Sequence, residues 1–205
     1  YGIKYTGSGH LASAMGMDKA VTKQIFMSKG VPTAKSVWVK KGEDTDLNRL
    51  NMSLPLVVKA CNGGSSVGVV LVKDEKDYQN AVEECFKYDN EILIEDFIEG
   101  REFSIGVLNG KALPIVEIIP REGWYDYENK YKDGATTHVC PANLSDELTE
   151  KMQQVAVDAC DAIGCSLCSR ADVMMDKAGN MFCLEVNTLP GMTSTSLIPD
   201  EARAI

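Results

Sequence analysis

Apolar residues along the chain recur with two periods, and these divide it into elements. After Asp74, the residues Tyr78, Ala81, Val82, Cys85 and Phe86 follow the i, i+3, i+4, i+7, i+8 spacing that places them on one helix face, with Asp74 as the cap. Ser145 caps a similar stretch carrying Leu148, Met152, Val155, Ala159 and Ile163, which Gly164 stops. A third helical stretch follows Asp18 and runs through Lys29, where Gly30 and Pro32 end it. Short apolar or alternating runs between the helices predict strands at Ser36–Val39, Leu56–Ala60, in VGVVLV after CNGGSS, and at Glu91–Phe97.

The second half opens on a hairpin. The runs REFSIGVL and KALPIVEI flank Asn109-Gly110, which suits a type I′ turn because both central positions need positive φ. Residues 120–141 show no period but hold Trp124, Tyr125, Tyr127, Lys130, Tyr131 and His138, and a long loop of that kind inside a compact domain reads as functional. Ser169–Met175 and Met181–Asn187 are strands joined by Asp176–Asn180. With no internal repeat, the pattern predicts an α+β chain of two lobes, residues 1–94 and 95–205.

Composition narrows this by exclusion. Of 205 residues, 44% are hydrophobic and 25% charged, as in an ordinary globular protein and unlike a disordered chain. No apolar run approaches the ~20 residues of a membrane helix, so no membrane partner is expected. A formal net charge of -9 lacks the basic footprint of a nucleic-acid binder. A small anionic substrate is still compatible wherever basic residues converge. The seven cysteines follow no basic-then-apolar leader and read as free thiols in a reducing cytoplasm. Cys165 and Cys168 form a lone C-x-x-C, without the second pair of a zinc site.

The sharpest candidate chemistry lies in the last strand pair. Side chains alternate along a strand, so Arg170 and Asp172 share one face, and Ala171, Val173 and Met175 the other. In the next strand Phe182, Leu184 and Val186 are expected to face the core, and Cys183, Glu185 and Asn187 to face away. A hairpin closing symmetrically over Lys177–Asn180 sets Asp172 opposite Glu185 and Arg170 opposite Asn187. Directly opposed carboxylates repel, and a cation between them removes the conflict. Carboxylate and amide oxygens suit Mg2+ or Mn2+, with phosphate oxygens at the remaining positions, and Arg170 can meet an anion there. The alternative is a solvated polar face with a chance acidic pair.

Other positions are weaker one by one. Lys59 ends an apolar strand before a loop with Gly63, Gly64, Ser65, Ser66 and Gly68, whose backbone N–H groups and hydroxyls suit a phosphate. The loop has neither Walker A spacing nor a dinucleotide fingerprint, and a glycine hairpin beneath a solvated Lys is the plainer alternative. Glu95 and Glu102 suit a ribose or an adenine amine, or are acids at strand ends. Lys19 opposes a helix dipole at a helix start. Gly191, Ser194 and Ser196 form a hydroxylic tail that suits a carboxylate.

Together the segments YTGSGHLASAMGMDK, LPLVVKACNGGSSVGV, ILIEDFIEGREFSIGVL, YDYENKY, CSRADVM and EVNTLPGMTSTSLIP resemble the ATP-grasp carboxylate–amine ligases, and within them the D-alanine–D-alanine ligase family. They cover nearly the whole chain. The resemblance implies an ATP-grasp fold of two α+β lobes clasping ATP, with Mg2+ or Mn2+ as the metal and D-alanine as the other substrate. It further implies a cytoplasmic enzyme of peptidoglycan precursor synthesis, homodimeric at full length, with no membrane or nucleic-acid partner. Position by position, Lys19 and Lys59 match lysines on the ATP phosphates, and Ser65 and Ser66 a loop above them. Glu95 matches the adenine contact and Glu102 the ribose contact. Tyr125, Lys130 and Tyr131 match a loop that closes the site, and Ser65, Lys130 and Tyr131 also stand beside the reacting groups. Arg170 matches the arginine at the transferred phosphoryl group. Asp172, Glu185 and Asn187 match the metal ligands. Gly191, Ser196 and Leu197 match the site of the second D-alanine.

The implied reaction forms an acylphosphate from one D-alanine, which the amine of the second then attacks. The family's N-terminal lobe, which contacts the first D-alanine, is not represented, its last helix is cut short, and position 63 is Gly where many relatives carry a larger polar residue. A different acceptor (D-lactate or D-serine) and a nucleotide-binding chain without turnover are the alternatives. YDYENKY resembles the peptide-forming loop and not the ester-forming one.

Overall fold

The computed structural model describes residues 3–121, 135–193 and 196–205. Two helices come first. α1 (His10–Met17) ends at Asp18, whose carboxylate accepts from the Val21 N–H at 3.0 Å and opens α2 (Lys19–Lys29); Gly30, at φ 76°, closes it. An antiparallel sheet of β1 (Ser36–Lys40), β2 (Leu56–Ala60), β3 (Val69–Val72) and β4 (Glu91–Asp96) follows in the order β1-β4-β2-β3. Between its strands run α3 (Leu47–Leu50) and α4 (Glu75–Cys85). Strand alternation divides the side chains: Leu56, Val58, Ile92 and Ile94 pack with Tyr78, Ala81, Val82 and Cys85 of α4, while Val57, Lys59, Leu93 and Glu95 face the other way.

The second sheet holds β5 (Gly100–Leu108), β6 (Lys111–Ala112), β7 (Val116–Pro120), β8 (Thr136–Val139), β9 (Cys168–Asp176) and β10 (Met181–Asn187). Its order is β10-β9-β5-β7-β8, with β6 beside β5, all antiparallel. α5 (Asp146–Ala162), whose cap Ser145 accepts from the Leu148 N–H at 3.3 Å, covers one face. There Phe103, Ile105, Ala171 and Val173 meet Met152, Ala156 and Ala159, each large side chain contributing roughly 1.5–3 kcal/mol by burial. The other face carries Glu102, Ser104 and Gly106 beside Met174, Asp172 and Arg170, and α6 (Leu197–Arg203) covers its far end through Leu197 and Ile198. α2 belongs to both sheets: Phe26 enters the second core, while Ala20 packs on Leu93 of the first. The division expected at residues 94/95 falls inside β4.

Several expectations need correction. The aperiodic stretch 120–141 contains β8, which pairs with β7. The hairpin's return strand is broken between Ala112 and Val116, where Pro114 has no N–H for the ladder; its turn forms with Asn109 at φ 50° and Gly110 at φ 73°. Asp74 makes no side-chain capping bond. α1, α3 and α6 run eight residues or fewer, below the window in which a helical period shows.

The largest correction is in β10. Cys183 is fully buried in the core with Val173 and Val186, and Leu184 lines the opposite side with Glu185. The hairpin does not close symmetrically: Met181 pairs with Met175 and Cys183 with Val173. A bulge at Leu184 then adds one residue, so Glu185 pairs with Asp172 and Asn187 with Arg170. Two offsets of one residue cancel, which is why the expected pairs form although the expected faces do not.

Gly100 stands where a Cβ would collide with the Met175 carbonyl of the neighbouring backbone. Gly100→Ala should therefore lower stability by about 1–3 kcal/mol in denaturant titration. Gly64→Ala, which meets open space, should change it by less than about 0.5 kcal/mol.

Candidate active site

The face of the first sheet turned away from α4 and the polar face of the second enclose a cleft of about 900 Å³. Val57, Met174, Leu184 and Ile118 give it apolar walls; Lys19, Lys59, Ser65, Ser66, Glu95, Glu102, Asp172 and Glu185 supply polar groups. Apolar walls with a few convergent polar groups are the composition of a small-molecule site.

Glu95 forms the base of the cleft. One carboxylate oxygen pairs with the Lys59 ammonium and the other lies 2.6 Å from Lys23 Nζ. Burial alone would push the Glu95 carboxyl up, but the two ammonium groups outweigh it and hold the group at about 2. Burial also pulls the Lys23 ammonium below the usual lysine range, with Glu95 opposing. Lys23 donates to Thr33 Oγ1 at 2.8 Å, and Thr33 Oγ1 donates to the Cys183 carbonyl at 2.8 Å. Sequence reasoning missed Lys23. Its only signal was its place one turn after Lys19, on the same helix face.

The glycine loop is joined to the start of α2. Lys19 donates its backbone N–H to the Cys61 carbonyl at 3.0 Å and its ammonium to the Gly63 carbonyl at 2.8 Å, and Nζ lies 4.0 Å from Glu185. Ser65 and Ser66 both adopt left-handed backbone, at φ 54° and 59°. That conformation costs an L-residue roughly 1–2 kcal/mol. Strain of this kind concentrates where a ligand is clamped.

Across the cleft, Arg170 grips Asp172 with a two-bond fork, Nε–Oδ1 at 2.8 Å and Nη2–Oδ2 at 2.7 Å. Asn187 Nδ2 donates to Asp172 Oδ2 at 3.2 Å. The opposed Asp172 and Glu185 thus have cations of the chain itself, Arg170 and Lys19, beside them. Their pairing alone therefore does not require a metal, which corrects the repulsion argument. Among the described residues no three His, Cys, Asp or Glu side chains gather as a metal centre. The Asp172, Glu185 and Asn187 set depends on its amide.

The remaining expected residues are spread out. Gly191 and Ser196 adjoin each other, and the Ser196 hydroxyl accepts from the Thr193 N–H at 3.0 Å. The Leu197 side chain is buried with Val116 and Ile118, so only its backbone is open to a ligand. Tyr125, Lys130 and Tyr131 lie outside the described residues, as does Ser194. Glu201, which the sequence did not single out, is fully buried and accepts from the Gly106 N–H at 2.7 Å. All seven cysteines are free thiols, and Cys165 interacts with Cys160, Ser8 and Ser169.

Comparisons with known proteins place the chain in a family. The family described as "D-ala D-ala ligase C-terminus" matches residues 25–205. The chain belongs to the D-alanine–D-alanine ligase family. It is 48% identical over 201 residues to the D-alanine–D-alanine ligase of Citrifermentans bemidjiense, covering 98% of this chain and 65% of that protein. Among crystal structures it is similar to the D-alanine–D-alanine ligase from Bacillus anthracis, with TM-score 0.88 and 38% identity over 99% of this chain and 66% of that one. The same ligase complexed with ATP gives TM-score 0.83 and 34% identity over 99% and 65%. The chain thus spans just under two thirds of the length of these relatives. Its two-sheet α+β architecture is the ATP-grasp fold of the family. Among the described residues no helix is long and apolar enough to cross a membrane.

Two buried carboxyls give the fold opposite pH dependences. Glu95, held at about 2 against an ordinary 4.5, contributes stability above pH 4.5 that is lost as pH falls toward 2. Glu201 is pushed up by burial to about 8, so the folded state keeps a proton that the unfolded chain releases above 4.5. Its contribution therefore declines as pH rises from 4.5 to 8. Melting temperatures should fall between about pH 5 and 8.5, and Glu201→Gln should remove most of that fall. An unchanged slope in the variant would assign the pH dependence elsewhere.

Proposed function

We propose that the cleft binds ATP and that the protein joins two D-alanines through an acylphosphate, for peptidoglycan precursors. The reading is supported by Lys19 of α2 and Lys59 of the first sheet lining one cleft with Asp172 and Glu185 of the second, Arg170 and Asn187 being bonded to Asp172, in a family whose B. anthracis member was crystallised with ATP. We read residues 1–94 and 95–205 as the two lobes, with α2 packed against both. The full-length protein is read as a cytoplasmic homodimer that acts on small molecules, without nucleic-acid or membrane partners.

In this reading Lys19 and Lys59 hold the phosphates, Ser65, Ser66 and the loop N–H groups cover them, and Glu102 takes the ribose. Glu95 has each carboxylate oxygen paired with an ammonium group, so its first role is to orient Lys59, and adenine meets what remains of its accepting capacity. Two carboxylates and one amide fit a hard divalent cation, Mg2+ or Mn2+, because Asn187 directs its N–H to Asp172 and keeps its oxygen as a donor. Such an ion, when bound, neutralises charge on the phosphates.

The carboxylate of one D-alanine attacks the γ-phosphorus, the bond to the β-phosphate oxygen breaks, and ADP leaves. The amine of the second attacks the acylphosphate carbonyl, loses a proton, and inorganic phosphate leaves. Arg170, its fork anchored on Asp172, brings its positive charge to the transferring phosphoryl group, where charge develops. Tyr125, Lys130 and Tyr131, outside the described residues, are read from the family resemblance alone as the groups that keep water from the acylphosphate. Gly191, Ser196 and the Leu197 backbone hold the second D-alanine.

ATP should bind to the 205-residue chain, and Lys59→Ala should weaken it by about 1.5–3 kcal/mol while leaving adenosine unaffected. Calorimetry with both ligands checks this, and equal losses would make the lysine structural. In an enzyme of the relatives' full length, phosphate release with ATP and D-alanine tests the reaction, with D-serine and D-lactate as rival acceptors. Arg170→Met should lower kcat by roughly 10²–10³. A change confined to KM for ATP would give Arg170 a ground-state role. The 205 residues alone should form no dipeptide, because positioning of the first D-alanine falls to the part of the family that they do not represent. Dipeptide at the full-length rate would refute that.

A further inference from the structure

Lys59 faces the cleft with an acid at its side. A lysine paired one-to-one with a buried glutamate presents a neutral pair to a ligand, and an anion gains little from it. Here the count differs. Glu95 meets two ammonium groups, one on each oxygen, so the group of three carries one net positive charge. Lys23 is the member that cannot reach a ligand. Its side chain is 2% exposed, and its ammonium faces Glu95 at 2.6 Å, Thr33 Oγ1 at 2.8 Å and the Ala34 carbonyl at 3.5 Å. One ion pair and two hydrogen bonds thus hold it inside the protein. Lys59 is the member that opens to the cleft, with a side chain 13% exposed.

We propose that Lys23 is a positioning residue: it neutralises Glu95 from behind, so that Lys59 keeps its positive charge for an anionic ligand in the cleft. The proposal rests on reading the cleft as a nucleotide site and deepens it, since the beneficiary is the phosphate end of the ligand. Lys23 has a second attachment. Thr33 takes its hydrogen bond and passes one to the Cys183 carbonyl, while the Cys183 N–H donates to the Pro32 carbonyl at 2.8 Å. Cys183 immediately precedes the Leu184 bulge, beyond which Glu185 turns into the cleft. The ammonium that frees Lys59 on the first sheet is thus tied to the strand that carries an acid of the second.

The test uses the 205-residue chain and reads the ratio of ATP to adenosine affinity by calorimetry, which cancels any change at the adenine end. In Lys23→Met, Glu95 has Lys59 as its sole counter-ion and draws it in. The ratio should fall roughly ten- to hundredfold, as for one lost charge-assisted bond. Removing the acid as well, in Lys23→Met/Glu95→Gln, should release Lys59 and restore the ratio, although Lys23 is still missing. A Lys23 that only supports the fold predicts no such rescue. A ratio unchanged in the single variant, or still lowered in the double, overturns the proposal. Should Lys23→Met fail to fold, Glu95→Gln alone decides: a ratio at or above wild type supports the charge count, and a lowered one overturns it. Wild-type protein that binds adenosine and ATP equally would overturn the phosphate reading of the cleft and this inference with it. Binding of ATP with no effect of either variant overturns the inference alone.

Discussion

A carboxylate buried where two sheets meet has to be compensated, and much of the site is arranged around that requirement. Glu95 loses its water on the cleft side of β4, and an unpaired charge there would cost several kcal/mol. Compensation comes from two directions, Lys59 on the adjacent strand of the same sheet and Lys23 on α2. Because α2 also packs Phe26 into the core of the second sheet, the ion pair ties the sheets together as well as neutralising a charge. Lys19, one turn earlier on the same helix, joins the glycine loop to Glu185. A single helix therefore sets the spacing of a cation, a loop and an acid.

The second constraint is register. Asp172 and Glu185 face each other only because the tight end of the β9–β10 hairpin and the Leu184 bulge offset one another by one residue each. Without the bulge, the alternation that buries Cys183 would carry Glu185 into the core with it. The bulge lets Cys183 and Val186 stay under α5 while Leu184 and Glu185 turn to the cleft. An irregular strand beside a site re-aims a side chain, as bulges commonly do.

Charge is distributed on the same principle. The chain carries a net charge of -9, yet its cleft sets Lys19 and Lys59 beside its acids, and Arg170 is paired with Asp172 of its lining. Glu95 and Glu185 are met by lysines from a neighbouring strand or helix, and Asp172 by Arg170 of its own strand. Ions held this way shift little when a phosphate arrives, so less reorganisation is needed.

Periodicity and local chemistry were enough to read α2, α4, α5, β1, β2, β4 and both arms of the last hairpin, because capping, glycine stops and strand alternation act within a few residues. The Arg170–Asp172 face was legible for the same reason, whereas the Asp172–Glu185 pair agreed only because the hairpin's offset and the Leu184 bulge cancel. Lys23 looked like any helix lysine, Glu201 like any acid in a tail, and Leu184 like a core residue. Their roles come from what lies opposite them: Glu95 from a strand of the first sheet, Gly106 from a strand 95 residues away, and a register shift between β9 and β10. A sequence states which residues can pair. Burial in a shared interior decides which pairings are obligatory, because only there does an unmet charge or an exposed methylene cost enough to fix the register.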